Sequence, residues 1–105
     1  MILVRARVKI FTESEGGSRQ TGIATGYRPN HVFEYPQDGL WKTAFVGDLV
    51  LYDGDLYPGL QKDILVRFIK GQPIEKYIHI GRKWQFYEGP NHLIGEAEIL
   101  EIISQ

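Results

Sequence analysis

No stretch of this chain sustains a helical period with caps at its ends. Its apolar residues come instead in short runs broken by turn signals, which confines it to folds built from many short strands. Twelve glycines and five prolines in 105 residues do the breaking. The clearest run is near the start. Val4, Ala6, Val8 and Ile10 alternate with Arg5, Arg7 and Lys9. Residues two apart share one face of a strand, so this is a half-buried strand with apolar side chains inward and three cations outward. Those cations read either as a stripe for phosphate or as a solvated, charge-protected strand face.

The remaining runs follow the same logic. Thr21–Thr25, His31–Tyr35, Leu40–Val46 and Leu49–Tyr52 are short strand candidates. Pro36-Gln37-Asp38-Gly39 and Val46-Gly47-Asp48-Leu49 read as turns between them. Asp53-Gly54-Asp55 reads as an acidic turn, since a calcium loop needs more oxygen ligands at fixed spacing. Lys62–Lys70 is apolar on both faces, which predicts a strand buried on both sides. Tyr77–Ile80 and Lys83–Tyr87 flank Gly81-Arg82 as a hairpin. Glu88-Gly89-Pro90-Asn91 turns into the last strand. There the alternation slips between Ile99 and Leu100, which predicts a bulge. The expected fold class is all-β: a closed antiparallel barrel of about six strands, one domain over residues 1–105.

Composition narrows the function. There is no cysteine, hence no disulfide and no thiolate nucleophile or ligand. Net charge is −1, so any nucleic-acid contact needs a local patch. No apolar run is long enough to span a membrane, and Met1-Ile2-Leu3-Val4 runs at once into Arg5, so neither a membrane span nor a signal peptide is expected. There is no phosphate-binding Gly-x4-Gly-Lys loop and no Gly-x-Ser-x-Gly elbow. His31, His79 and His92 stand far apart, without metal-ligand spacing. No catalytic residue, metal site or cofactor is expected.

The least generic stretch is Gly16–His31. It reads Gly-Gly-Ser-Arg-Gln-Thr, then Gly-Ile-Ala-Thr, then Gly-Tyr-Arg-Pro-Asn-His. Glycines at 16, 17 and 26 allow sharp reversals, and Pro29 forces Arg28 into extended backbone. Glu15-Gly16-Gly17-Ser18-Arg19-Gln20-Thr21 followed by Gly26-Tyr27-Arg28-Pro29 resembles the opening of the C-terminal barrel, the third domain, of the elongation factor Tu/1A group of translational GTPases. The pattern there is an acidic residue, Gly-Gly-Arg-x-Thr, a short gap, then Gly-Tyr-Arg-Pro. A Pro-Gly at Pro58-Gly59 before a long strand, and Pro73 after it, extend the likeness along the chain from Val4 to about Ile103.

The resemblance implies an elongation factor Tu domain 3-like barrel without the GTPase domain, so this chain would bind no GTP. In the family this domain contacts the T-arm of aminoacyl-tRNA and packs on the GTPase domain. The resemblance therefore implies a non-catalytic, cytoplasmic module binding tRNA, other RNA or translation components. The family's contacts carry over to Asn30, His31 and His92. The expected binding surface combines these with Arg19 and Arg28, joined by Arg5, Arg7 and Lys9 if the stripe of cations near the start serves phosphate. The chain departs from the pattern in its last turn, where Pro90-Asn91-His92 stands in place of Gly-Arg-Thr and an arginine is lost. Arg28 reads as a phosphate contact or as a structural clamp on carbonyls, and Tyr27 as core packing or base stacking. The alternative is a protein-interaction module without RNA binding, anchored by exposed Trp41, Trp84 and Tyr57, with a homodimer left open.

Overall fold

The computed structural model describes residues 1–34 and 43–105. The expected turn at Pro36–Gly39 and the expected anchor Trp41 lie outside the described residues, as does Tyr35. Six strands close into an antiparallel barrel. They are β1 (Ile2–Ile10), β2 (Asn30–Val32), β3 (Phe45–Val50), β4 (Gln61–Phe68), β5 (Lys83–Glu88) and β6 (His92–Ser104). Around the barrel the order is β1–β4–β3–β2–β5–β6, with β6 returning to β1. Closure removes the sheet edges that an open sheet would expose.

The order and the antiparallel pairing divide the connections between two ends. Residues 11–29, 51–60 and 89–91 lie at the upper end, where β1 finishes and β6 begins. Residues 69–82 lie at the lower end, where β4 finishes. Two connections cross the barrel, and each brings in a plug. At the top Ile23 and Leu56 exchange backbone hydrogen bonds of 2.8 and 3.0 Å, and both side chains are buried. At the bottom Ile74, Tyr77 and Ile78 are buried. Tyr77 stacks on Phe33, ring centroids 5.1 Å apart, and Phe33 stacks on Trp84 at 5.1 Å. Such ring pairs add about 1 kcal/mol each to the burial of their apolar area.

β1 follows its alternation, with Val4, Ala6, Val8 and Ile10 inside. Other expectations are corrected. β4 is buried on one face only: Ile64, Val66 and Phe68 point inward, while Leu65 is half-buried and Ile69 exposed. The expected hairpin around Gly81-Arg82 does not form. Glu75–Tyr77 is a 3-10 turn; Tyr77 and Ile78 enter the lower plug, and His79 and Ile80 are exposed. The expected turn at Val46–Leu49 is strand, because Gly47 lets β4 approach closely. A Cβ there would sit 2.8 Å from the Arg67 carbonyl oxygen. Thr21–Thr25 shrinks to the single Ile23–Leu56 bridge.

The long β6 stays in phase with both neighbours through bulges. Against β1 the register steps over Leu100, where the sequence loses its alternation, and again over Ile103. Against β5 it steps over Ile94, which turns Ile94 inward beside Gly95. Each bulge lets one extra residue pass without turning the strand inside out.

Candidate functional site

The topology brings Arg19, Arg28, Asn30 and His92 to the upper end. Arg19 and Arg28 lie on the β1–β2 connection, Asn30 opens β2, and His92 opens β6. Arg19 and His92 line one cleft of about 350 Å3, with Ser18, Gln20, Thr21 and Glu88. Arg28 stands outside that cleft.

The Arg19 guanidinium is held on three sides. Nη1 donates to Glu88 Oε1 at 2.9 Å, Nη2 to the Gly22 carbonyl at 3.0 Å, and Nε to the Thr21 carbonyl at 3.1 Å. Its carbon lies 5.0 Å from the centroid of the Tyr27 ring. The planar fork suits this clamp, since several donors fix one geometry. Tyr27 itself packs against the core. Its hydroxyl is buried and makes no hydrogen bond of ordinary length to a described residue. Burial, reinforced by the nearby Glu88 carboxylate, holds the phenol well above its ordinary pKa.

His31 is in the core. Its ring is fully buried, which leaves it no surface to offer a partner. Nε2 lies 2.8 Å from the Gly47 carbonyl oxygen, and Trp84 Nε1 donates to Nδ1 at 3.0 Å. Phe68 and Phe86 meet the ring edge-on. Burial lowers its pKa from 6.5 to about 4, against the smaller opposing effects of the Gly47 hydrogen bond and Asp48. Trp84, expected as an exposed anchor, is fully buried for the same reason. Its indole N–H has an inward partner, so nothing draws it to the surface.

The buried Asp48 carboxylate is also accounted for. Asp48 accepts from Arg67 twice, at 3.1 and 2.6 Å, and that pairing holds its carboxyl below the usual range. Arg28 is exposed, and its charge adds to the same effect. The cations of β1 are paired as well. Arg5 meets Glu101 at 3.2 Å and Asp63 at 3.5 Å, Arg7 meets Asp63 at 3.3 Å, and Lys9 meets Glu15. The pairing with Lys9 lowers the Glu15 pKa to about 2. The stripe is therefore a ladder of ion pairs with acidic neighbours on β4, on β6 and in the β1–β2 connection.

Two exposed side chains that sequence reasoning passed over share the upper end with the expected Tyr57. Tyr52 is 71% exposed, Tyr57 53% and Leu60 56%. Tyr57 is seated on Gly22, where a Cβ would meet its ring at 2.8 Å. The signal was present in the turn chemistry of residues 51–60, since large side chains on a short connection over a filled barrel mouth have little core left to enter. Gly54, with φ +93°, confirms the turn at Asp53-Gly54-Asp55. Among the described residues no three His, Asp or Glu side chains converge as metal ligands, and no helix is long and apolar enough to cross a membrane. No family model matches this chain, and no curated protein matches it.

Proposed function

We propose that this chain is a non-catalytic binding module of the elongation factor Tu third-domain kind, and that it takes up a protein partner, a basic component of the translation machinery, at the upper end of its barrel. The fold class, and the Gly26-Tyr27-Arg28-Pro29 segment leading into β2, support the comparison with that domain. The buried polar side chains His31 and Asp48 both serve the scaffold.

The observation that carries the protein reading is the charge of the upper end. Its connections and the strand ends beside them hold Glu13, Glu15, Asp53, Asp55 and Glu88 against Lys9, Arg19, Arg28 and Lys62. Arg19 pairs with Glu88 and Lys9 with Glu15, which leaves Glu13, Asp53 and Asp55 against Arg28 and Lys62, a small acidic excess. A surface with this balance repels a polyanion and attracts a basic partner. Tyr52, Tyr57 and Leu60 supply exposed apolar and aromatic area of the kind that anchors protein interfaces.

RNA is the second reading. It rests on exposed Arg28 and His92 and half-buried Asn30 at the same end. Amide NMR during titration with unfractionated tRNA, at low and then moderate salt, separates the two. The protein reading expects no shifts even at low salt. Shifts clustered on Arg28, Asn30 and His92 that fade with salt would replace it with RNA binding, because phosphate contacts release counterions.

A further inference from the structure

The opposite end of the barrel carries a second surface, with different chemistry. Met1 is 52% exposed, Ile69 37% and Ile103 46%. All three flank the lower end: before β1, just past β4, and near the end of β6. Between β1 and the β4–β5 connection runs a groove of about 200 Å3. Met1, Ile2, Ile69 and Ile74 give it apolar walls, and Lys70 and Glu75 stand on its rim. Lys70 and Glu75 form no ion pair with another described residue. The rest of the β1 face differs sharply, being the ladder of paired charges around Arg5 and Arg7.

We propose that this lower end is a homodimer interface, with a second copy of the chain as its occupant. A two-fold axis makes each patch meet itself, so residue i touches j and j touches i. A groove of mixed lining, with Ile69 and Met1 exposed beside it and Lys70 and Glu75 of opposite charge on its rim, is complementary to its own rotated copy. Lys70 of one copy meets Glu75 of the other, twice, around Ile69 and Met1. The net charge of −1 sets little repulsion between copies. A standard interface takes roughly 800 Å2 from each partner, about one seventh of the 5906 Å2 surface. This face is distinct from the upper end, so the two proposals fail independently.

Sedimentation velocity of the full chain, over a concentration series reaching a few hundred micromolar, is the test. The wild type is expected to move from monomer to dimer across the series. Ile69→Glu is expected to weaken the dimer at least about tenfold, since it buries an unpaired charge at the centre. Lys70→Glu and Glu75→Lys each place like charges in contact and are expected to weaken it severalfold. The double swap Lys70→Glu/Glu75→Lys restores the pairing and is expected to recover wild-type association. The swaps are at exposed positions, so they decide the matter even if Ile69→Glu folds poorly. A wild type that stays monomeric throughout overturns the proposal. So does a dimer indifferent to Ile69→Glu, or a double swap no tighter than the single ones.

Discussion

Trp84 Nε1 donates a hydrogen bond to His31 Nδ1 at 3.0 Å, and this one contact fixes the protonation of the buried ring. An indole nitrogen only donates, so Nδ1 must be the acceptor. The proton then sits on Nε2 and goes to the Gly47 carbonyl oxygen. Adding a second proton would place it on Nδ1, facing the indole N–H, in a fully buried site. That is the geometric counterpart of a pKa lowered from 6.5 to about 4. The unfolded chain binds this proton at a pH where the fold does not. Stability is therefore complete above about pH 6.5 and falls as pH drops toward about 4, by roughly 3 kcal/mol in all. Urea unfolding at neutral and mildly acidic pH, on the wild type and His31→Gln, isolates the contribution. The variant is expected to be less stable at neutral pH and to lose less on acidification. Parallel pH profiles for the two proteins would refute the assignment.

Arg19 is a clamp between the β1–β2 connection and the end of β5. Replacing it with alanine frees two carbonyls and the Glu88 carboxylate, and uncovers the Tyr27 ring. The expected cost is about 1–2 kcal/mol, because the carbonyls lose a charged donor but remain near solvent. Arg19→Lys recovers little of this, since an ammonium cannot span the same acceptors. Glu88→Gln costs only about 0.5 kcal/mol, its pair being half-exposed. Thermal unfolding of the three variants checks the order. An Arg19→Ala protein as stable as the wild type would mean that the clamp contributes nothing and that the side chain is available to a ligand.

Gly95 and Gly54 make opposite demands on the same residue type. At Gly95 a Cβ would lie 2.1 Å from the Lys9 carbonyl oxygen, where β1 and β6 cross most closely. Gly54 has φ +93° but open space around it. Gly95→Ala must push two paired strands apart beside the Ile94 bulge and is expected to cost about 3 kcal/mol or more. Gly54→Ala meets only the left-handed backbone penalty, about 1 kcal/mol. Chemical denaturation of the two variants side by side gives the comparison. Equal losses would show that β6 can shift to absorb the Cβ.

What the sequence made legible is local. The alternation from Val4 to Ile10, the turns at Gly54 and Gly89 and the slip at Leu100 follow from neighbouring residues and reappear in the barrel. The site-level pairings are not local. His31 meets Trp84 from 53 positions away, and Arg19 meets Glu88 from 69. Both depend on the register of β2 and β5 and on which connection crosses the barrel, and no spacing rule supplies either. The same gap explains Trp84 as an expected surface anchor. Alone it reads as a large aromatic free to be exposed; in the barrel it holds an inward position of β5 beside Phe86, stacks on Phe33 and donates to His31. β4 was misread on different grounds. Leu65 and Ile69 are apolar, but on an outward face apolarity does not produce burial unless something covers it.

Gln72 ends the pairing of β3 with β4, and it does so with its side chain. The Val46 N–H donates to Gln72 Oε1 at 2.6 Å, and Nε2 donates to the carbonyl oxygens of Val46 and Ile69, both at 2.9 Å. The amide thus replaces the next backbone unit of a strand that has already turned away. Gln72→Ala leaves those groups to water and is expected to cost about 1 kcal/mol, with faster hydrogen exchange at Val46. Gln72→Glu is the sharper test. A carboxylate keeps the acceptor for the Val46 N–H but sets a second anionic oxygen against two carbonyl oxygens. It is expected to be worse than alanine at neutral pH and to recover on acidification, when the carboxyl regains a donor. Exchange rates at Val46 unchanged in both variants would mean that solvent replaces the clamp without loss and that β4 ends for another reason.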